Sequence, residues 1–364
     1  MPAIVQPVHM TAPPKLALLI PTYNGSECIG DVLQSIVRWC KSQSLPAESS
    51  GLSSGFQSIP PVYIFDDCST DGTIRTAMEW QNSLPLHVVR NERNLGEYGN
   101  VNHAIVALQS LGFDWVMLLH QDDLLAGPWV QTCLELIETP DPALGMICCS
   151  NLYCDRRDTA SVRPVPRPEK LTIDQRPGTV ASIHSLRHSW FWTVPGSVFQ
   201  TAAFMETGGF HPLMKFAGDN DFLVRFMLAG HTTFYVKWPA ILKRNSDNNG
   251  TNRANDSGVD IVCWAYVMLR YLPLASKADR TIEFCVQAKR ILRRTVSLAR
   301  RGRTAVVPAQ LRSLALLFQS YCALITGSKR LIPPQVRALI DFRLDPLLPA
   351  DSSPAGSAAI LIEG

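Results

Sequence analysis

The feature that most constrains this chain is a repeated punctuation, in which short apolar runs stop abruptly on clusters of polar residues. Residues 16–20, 62–65, 86–89 and 115–119 are such runs. The first ends at Pro21-Thr22-Tyr23-Asn24-Gly25, the second at Asp66-Asp67, and the fourth at His120-Gln121-Asp122-Asp123. Runs this short and this continuously apolar predict strands buried on both faces. Helical spacing separates the first two, with Ile29, Val32, Leu33, Ile36 and Val37 on one face. Strands alternating with helices predict βαβ units and a parallel sheet. Ligands of such sheets bind beyond the carboxyl ends of the strands, which is where the polar clusters stand.

Further helices are expected at residues 73–81, 100–111 and 221–228, and another strand at 145–150. The pattern divides into a flexible tail (1–14), an α/β domain (15–255), a helical subdomain (256–345) and a disordered tail (346–364). A chain of 364 residues, 46% hydrophobic, has ample core for that division. Within the helical part, Ile282, Cys285, Ala288, Leu292, Val296 and Ala299 recur at three-to-four spacing. The other face is basic, with Arg290, Arg294 and Arg301. Between Arg270 and Arg303 ten basic residues face two acids, a composition suited to an anionic membrane surface or to a solvated outer face.

Several classes are excluded. The ten cysteines show no C-x-x-C and no zinc spacing, and read as small buried side chains in a reducing compartment. Residues 1–14 lack the pattern of a signal peptide, and the apolar stretches are too short to span a bilayer, so a cytoplasmic location is expected. A net charge of +3 gives no reason to expect a nucleic-acid partner.

The clusters suggest chemistry. Asp122 and Asp123, paired at a strand end, suit a hard divalent cation serving a phosphate-bearing substrate. Tyr23 can stack on a nucleobase, although Pro21 to Gly25 also reads as an ordinary turn. The carboxylates of Asp66-Asp67-Cys68-Ser69-Thr70-Asp71-Gly72-Thr73 can accept hydrogen bonds from a base or ribose; the segment also suits a helix N-cap. An EF-hand fails there because Met78 stands at the twelfth position, and a D-x-D fails at Cys68. The loop from Asn94 through Gly96 to Asn102 opens a helix whose N–H groups suit a pyrophosphate.

Taken in order, these motifs closely resemble family 2 glycosyltransferases of the GT-A fold, a Rossmann-like α/β fold with a mostly parallel sheet flanked by helices. The resemblance continues through Pro195-Gly196-Ser197, Gly208-Gly209-Phe210 and Gly218-Asp219-Asn220-Asp221-Phe222 to Arg225. It implies a nucleotide-sugar donor (UDP-, dTDP- or GDP-linked) held by Pro21, Thr22, Tyr23, Asn24, Asp66, Asp67, Asn94, Gly96, Asn102 and Gln121. Asp122 and Asp123, with His120, would hold Mg²⁺ or Mn²⁺. Asp219 aligns with the catalytic base of an inverting displacement, and Asp221 is its rival. Trp190, Trp192 and Gly196 would meet the acceptor, a glycan or lipid-linked hydroxyl of surface polysaccharide synthesis. The chain departs from the family where His120 and Gly218 replace acids, where Val101 replaces a basic residue, and where residues 244–251 lack a metal-binding histidine, leaving Asp247 as a weak substitute. Those departures make a catalytically weakened sugar-nucleotide-binding or scaffold protein the alternative.

Overall fold

A computed structural model describes residues 15–41, 59–139, 141–155, 165–178, 194–245, 257–274, 277–347 and 360–362. Strands β1 (Leu16–Thr22), β2 (Val62–Asp66), β3 (Leu86–Arg90) and β4 (Trp115–Leu118) are joined through helices α1 (Ile29–Lys41), α2 (Thr73–Met78) and α3 (Gly96–Ser110). All four strands are parallel, in the order β3-β2-β1-β4. Along β1 the side chains divide by alternation. Leu18 and Ile20 join one core with Ile29, Val32 and Ile36 of α1, while Ala17 and Leu19 join a second core with Ala104, Ile105 and Leu108 of α3. Helices on both faces explain why these strands are apolar throughout. The chain winds outward from β1 to β3 and then returns to the far side of β1 as β4. The β1–β4 boundary is therefore a topological switch point, where such sheets open a ligand crevice.

The second half of the sheet is mixed. It comprises β5 (Leu124–Leu125), β6 (Leu144–Asp155), β7 (Ile173–Arg176), β8 (Ser197–Gln200) and β9 (Thr232–Asn245), with helices α4 (Trp129–Ile137), α5 (Thr201–Glu206) and α6 (Gly218–Leu228). Strand β8 runs antiparallel to β4 and β6, and β6 runs parallel to β9. β10 (Ile360–Ile362) pairs antiparallel with β3 at the sheet's outer edge. That corrects the expectation of disorder for all of 346–364: an exposed strand edge offers unpaired backbone groups, and Ile-Leu-Ile is strand-forming.

Helices α7 (Val259–Tyr271), α8 (Lys277–Arg300), α9 (Val307–Thr326) and α10 (Pro334–Asp341) follow. They are anchored to the α/β part by a cluster joining Met214 and Ala217 to Cys263, Ala265, Tyr266, Val336 and Leu339. The rotation of α8 differs from what its sequence pattern implies. Ile282, Leu292 and Val296 are 43%, 49% and 50% exposed, whereas Gln287, Ile291 and Leu298 are buried. Arg294 explains the turn, because it lies on the buried side and pairs at 2.7 Å with Asp260, whose side chain is fully buried. A carboxylate out of water needs its counter-charge, and meeting that need outweighs leaving a few apolar side chains of the opposite stripe in solvent. No helix among the described residues is long and apolar enough to cross a membrane.

Candidate active site at the strand ends

The loops after β1 and β2 hold one another. Asn24, in the left-handed region at φ 48°, accepts a hydrogen bond from the Thr70 amide at 2.9 Å and donates its own amide to Ser69 Oγ at 2.8 Å. The amides of Gly25 and Ser26 donate to Thr73 Oγ1 (2.7 Å) and Asp71 Oδ2 (3.1 Å). Burial works against ionisation of Asp71, but hydrogen bonds from Thr73 and Ser26 bring its pKa down to about 2. Across the switch point, Gln121 brackets the backbone of Tyr23, accepting from its amide at 2.9 Å and donating to its carbonyl at 3.2 Å. A Cβ on Gly25 would fall 2.3 Å from Gln121 Oε1, so a larger residue there would displace this amide. The Tyr23 ring is left at the lip, 49% exposed, as a stacking surface needs.

Asp66 and Asp67, expected at the donor, are bound into the fold. At 0% and 2% exposure, they are used within the fold. Asp66 accepts from Thr22 Oγ1 and the Ser69 amide. Asp67 accepts from Asn91 Nδ2 (2.9 Å) and from the amides of Leu95 (2.7 Å) and Gly96 (2.9 Å), so it caps the loop that opens α3. Asn94 joins the same knot through the Asp67 carbonyl at 3.0 Å. Pro21 and Thr22 lie in the last positions of β1, opposite Phe65 and Asp66. Asn102 is likewise internal, bonded in both directions to the backbone of Phe210 at 2.7 and 2.8 Å. Val101 is packed in the core, where a charged side chain would be costly.

Beyond β4, His120, Asp122 and Asp123 bring one ligand atom each within 4.8 Å of one another. Burial holds the His120 imidazole neutral, down to about 4, helped by Lys243 and opposed by Asp122. Burial also pushes Asp123 up to about 7, with Asp122 adding to it and Lys243 opposing. Two carboxylates crowded with a neutral imidazole form a donor set that a divalent cation would relieve. Oxygen ligands suit Mg²⁺ or Mn²⁺, and the nitrogen favours the softer Mn²⁺. Arg244, 5% exposed, pins this loop through the Asp122 carbonyl and an ion pair with Asp31 on α1, and its own amide donates to Asp123 Oδ1 at 3.2 Å.

The third element is the start of α6. Ala217 takes a left-handed turn at φ 55°, and the next amide, Gly218, donates to Tyr98 Oη at 3.1 Å. The missing acid at Gly218 has a steric reason: a Cβ there would lie 2.4 Å from the Tyr98 ring. Asp219 is partly buried, and burial raises its pKa, opposed by the Asn220 amide and by Lys243. Asp221, the rival base, has internal partners. It is fully buried, accepting from Arg225 at 2.7 and 2.9 Å and from the Tyr271 hydroxyl of α7. Two residues on a helix lie about 200° apart, so only one of the pair can face the cleft.

Gly196, expected at the acceptor, is buried beneath β4: its amide donates to Leu118 and its carbonyl accepts from the Trp129 indole, both at 2.7 Å. Trp190, Trp192 and Asp247 lie outside the described residues. Sequence reasoning misses Lys243, Arg244 and Tyr98. The signal for the first two is a basic pair closing the apolar run of β9, and for Tyr98 an aromatic inside a Gly- and Asn-rich loop.

The parallel β3-β2-β1-β4 strands, continued by a mixed half-sheet and flanked by helices, give the chain the GT-A fold. The sequence model of Glycosyl transferase family 2 matches residues 17–192. The crystal structure of Staphylococcus aureus TarS 1-349 in complex with UDP-GlcNAc has the same fold, with a TM-score of 0.53 and 17% identity over 89% of this chain and 83% of that one. In sequence, the poly(ribitol-phosphate) beta-N-acetylglucosaminyltransferase TarS of that organism is 30% identical over 111 residues, 30% of this chain. An uncharacterized glycosyltransferase of Haemophilus influenzae is 24% identical over 215 residues, 58% of this chain. The chain spans 17% of the length of the first relative and 62% of the second.

Proposed function

We propose that the protein is an inverting glycosyltransferase that moves a hexosyl or deoxyhexosyl group from a UDP-, dTDP- or GDP-linked donor to a hydroxyl of a glycan or lipid-linked acceptor. Its setting on this reading is the cytoplasmic assembly of a surface polysaccharide. One observation carries the reading: the charge of Lys243 acts at once on His120, Asp123 and Asp219. This common electrostatic neighbour supports reading the cation-type cluster and the carboxylate of raised basicity as parts of one site. The nucleoside of the donor stacks on Tyr23, which Gln121 holds in place.

The reaction is a single displacement. An acceptor hydroxyl oxygen attacks the anomeric carbon while Asp219 takes its proton, and the bond from that carbon to the donor phosphate oxygen breaks. Attack from the face opposite the leaving group inverts the configuration. Burial suits Asp219 to the task, since a raised pKa makes a stronger base. His120, Asp122 and Asp123 would hold Mg²⁺ or Mn²⁺, which supplies charge neutralisation to the departing nucleoside diphosphate. Lys243 adds a fixed positive charge beside them. The alternative, a sugar-nucleotide-binding protein without turnover, keeps the donor site and dispenses with the base.

A melting-temperature panel of nucleotide sugars with and without Mn²⁺ is the test, followed by donor turnover with a mixture of polyol and glycan acceptors. Stabilisation by one donor, strengthened by Mn²⁺ and accompanied by turnover, is expected. Stabilisation without turnover supports the binding-only alternative. No stabilisation by any donor rejects both.

A further inference from the structure

Helix α8 turns outward the apolar stripe that its sequence pattern suits for burial. Ile282, Val286, Leu292 and Val296 are between 43% and 50% exposed. Exposed Lys289, Arg293 and Arg300 share this face, since positions 282, 286, 289, 293, 296 and 300 alternate by four and three residues. An open depression of about 520 Å³ lies along its C-terminal half, lined by Leu292, Arg293, Val296, Ser297, Arg300 and Arg301. Charge here is of one sign: no acid occurs between Glu283 and Asp341, while eleven lysines and arginines do. The rest of the chain carries 23 basic against 31 acidic residues.

We propose that this face docks on the surface of an anionic phospholipid bilayer, with the apolar side chains at the acyl boundary and the basic ones among headgroup phosphates. Interleaved apolar and basic side chains on one helix face are what an interfacial helix presents. A second copy of this chain fits poorly, because a two-fold contact would press this basic face against itself. A polyanionic glycan or a nucleic acid would use the charges but would gain nothing from Leu292 and Val296. The surface includes no residue of the candidate site and goes beyond the transferase reading. Vesicle binding measured without donor therefore fails or succeeds independently of that reading.

The test is co-sedimentation of the full chain with vesicles of phosphatidylcholine alone, or of equal parts phosphatidylcholine and phosphatidylglycerol. Each basic residue at such a surface strengthens binding about five-fold, so the triple variant Lys289→Glu, Arg293→Glu, Arg300→Glu is expected to lose about a hundred-fold on the anionic vesicles. The pair Leu292→Ser, Val296→Ser is expected to lose about ten-fold. All five side chains are exposed, so both variants should keep the wild-type melting temperature. Equal binding to the two vesicles, or none, overturns the proposal. Wild-type affinity in the serine pair, with heparin displacing the protein, assigns the face to a polyanion instead. A dimer that the triple variant abolishes assigns it to a second copy.

Discussion

At the carboxyl ends of β1 and β2 the polar motif residues hold one another, whereas the outer face of α8 sets half-exposed apolar side chains among basic ones. The first region has its partners inside the chain. The second offers a surface whose partner lies outside it. In the strand-end region one residue type serves fold and chemistry together, so substitutions there must be sorted by which function they lose. On α8 the two are separable, because Arg294 and Ile291 secure the helix from the side opposite the exposed stripe.

The sharpest way to break the comparison is within α6, where we assign neighbouring aspartates the two roles. Asp219→Asn should lower transfer by roughly 1,000-fold with no loss of melting temperature, as removal of a general base requires. Since burial raises Asp219, the acid limb of the wild-type pH–rate profile should lie above the ordinary carboxylate range. A variant with wild-type rate would remove Asp219 from the mechanism. Asp221→Asn should do the reverse, costing about 3 kcal/mol or more in denaturant titration, because it leaves the Arg225 guanidinium buried without its carboxylate. Unchanged stability there would refute the anchor assignment.

A smaller effect tests the packing at Gly218. Gly218→Glu, which restores the family's acid, should cost about 1–3 kcal/mol through overpacking against Tyr98. Adding Tyr98→Ala should recover part of that loss; a double variant no more stable than the single would show that the ring is not the obstacle. The smallest expected effect belongs to Asp71, which is exposed. Its folded-state pKa of about 2 lies below the ordinary aspartate value of 3.8, so its hydrogen bonds stabilise the fold above pH 4 and lose that effect as pH falls towards 2. Asp71→Asn should therefore melt below wild type at pH 7, and the two curves should converge in acid. A gap independent of pH would assign the difference to shape instead of charge.

Much of the strand-end region is legible in the sequence because local chemistry dictates it. Apolar runs ending on Thr22, Asp66 and His120 mark strands buried on both faces, and chain order places their ends on one side of a parallel sheet. The acids, however, do not announce their partners. Asp66, Asp67 and Asp122 look alike in sequence, yet the first two accept from neighbouring amides while the third joins His120 and Asp123 in a cluster of possible metal ligands. Asp219 and Asp221 are indistinguishable in sequence for the same reason, since Tyr271 arrives from fifty residues away to claim one of them.

On α8 the periodicity identifies a helix but misassigns its inward face. Spacing fixes which residues share a face, because the helical repeat is a local property. Rotation is set by the most demanding contact, here buried Asp260 drawing in Arg294, and that contact joins residues 34 positions apart. Sequence alone thus determined the elements, their order and the family they resemble. Tertiary structure decided which carboxylates are open to a ligand and which face of α8 meets solvent, because burial and counter-charge depend on partners that only folding brings together.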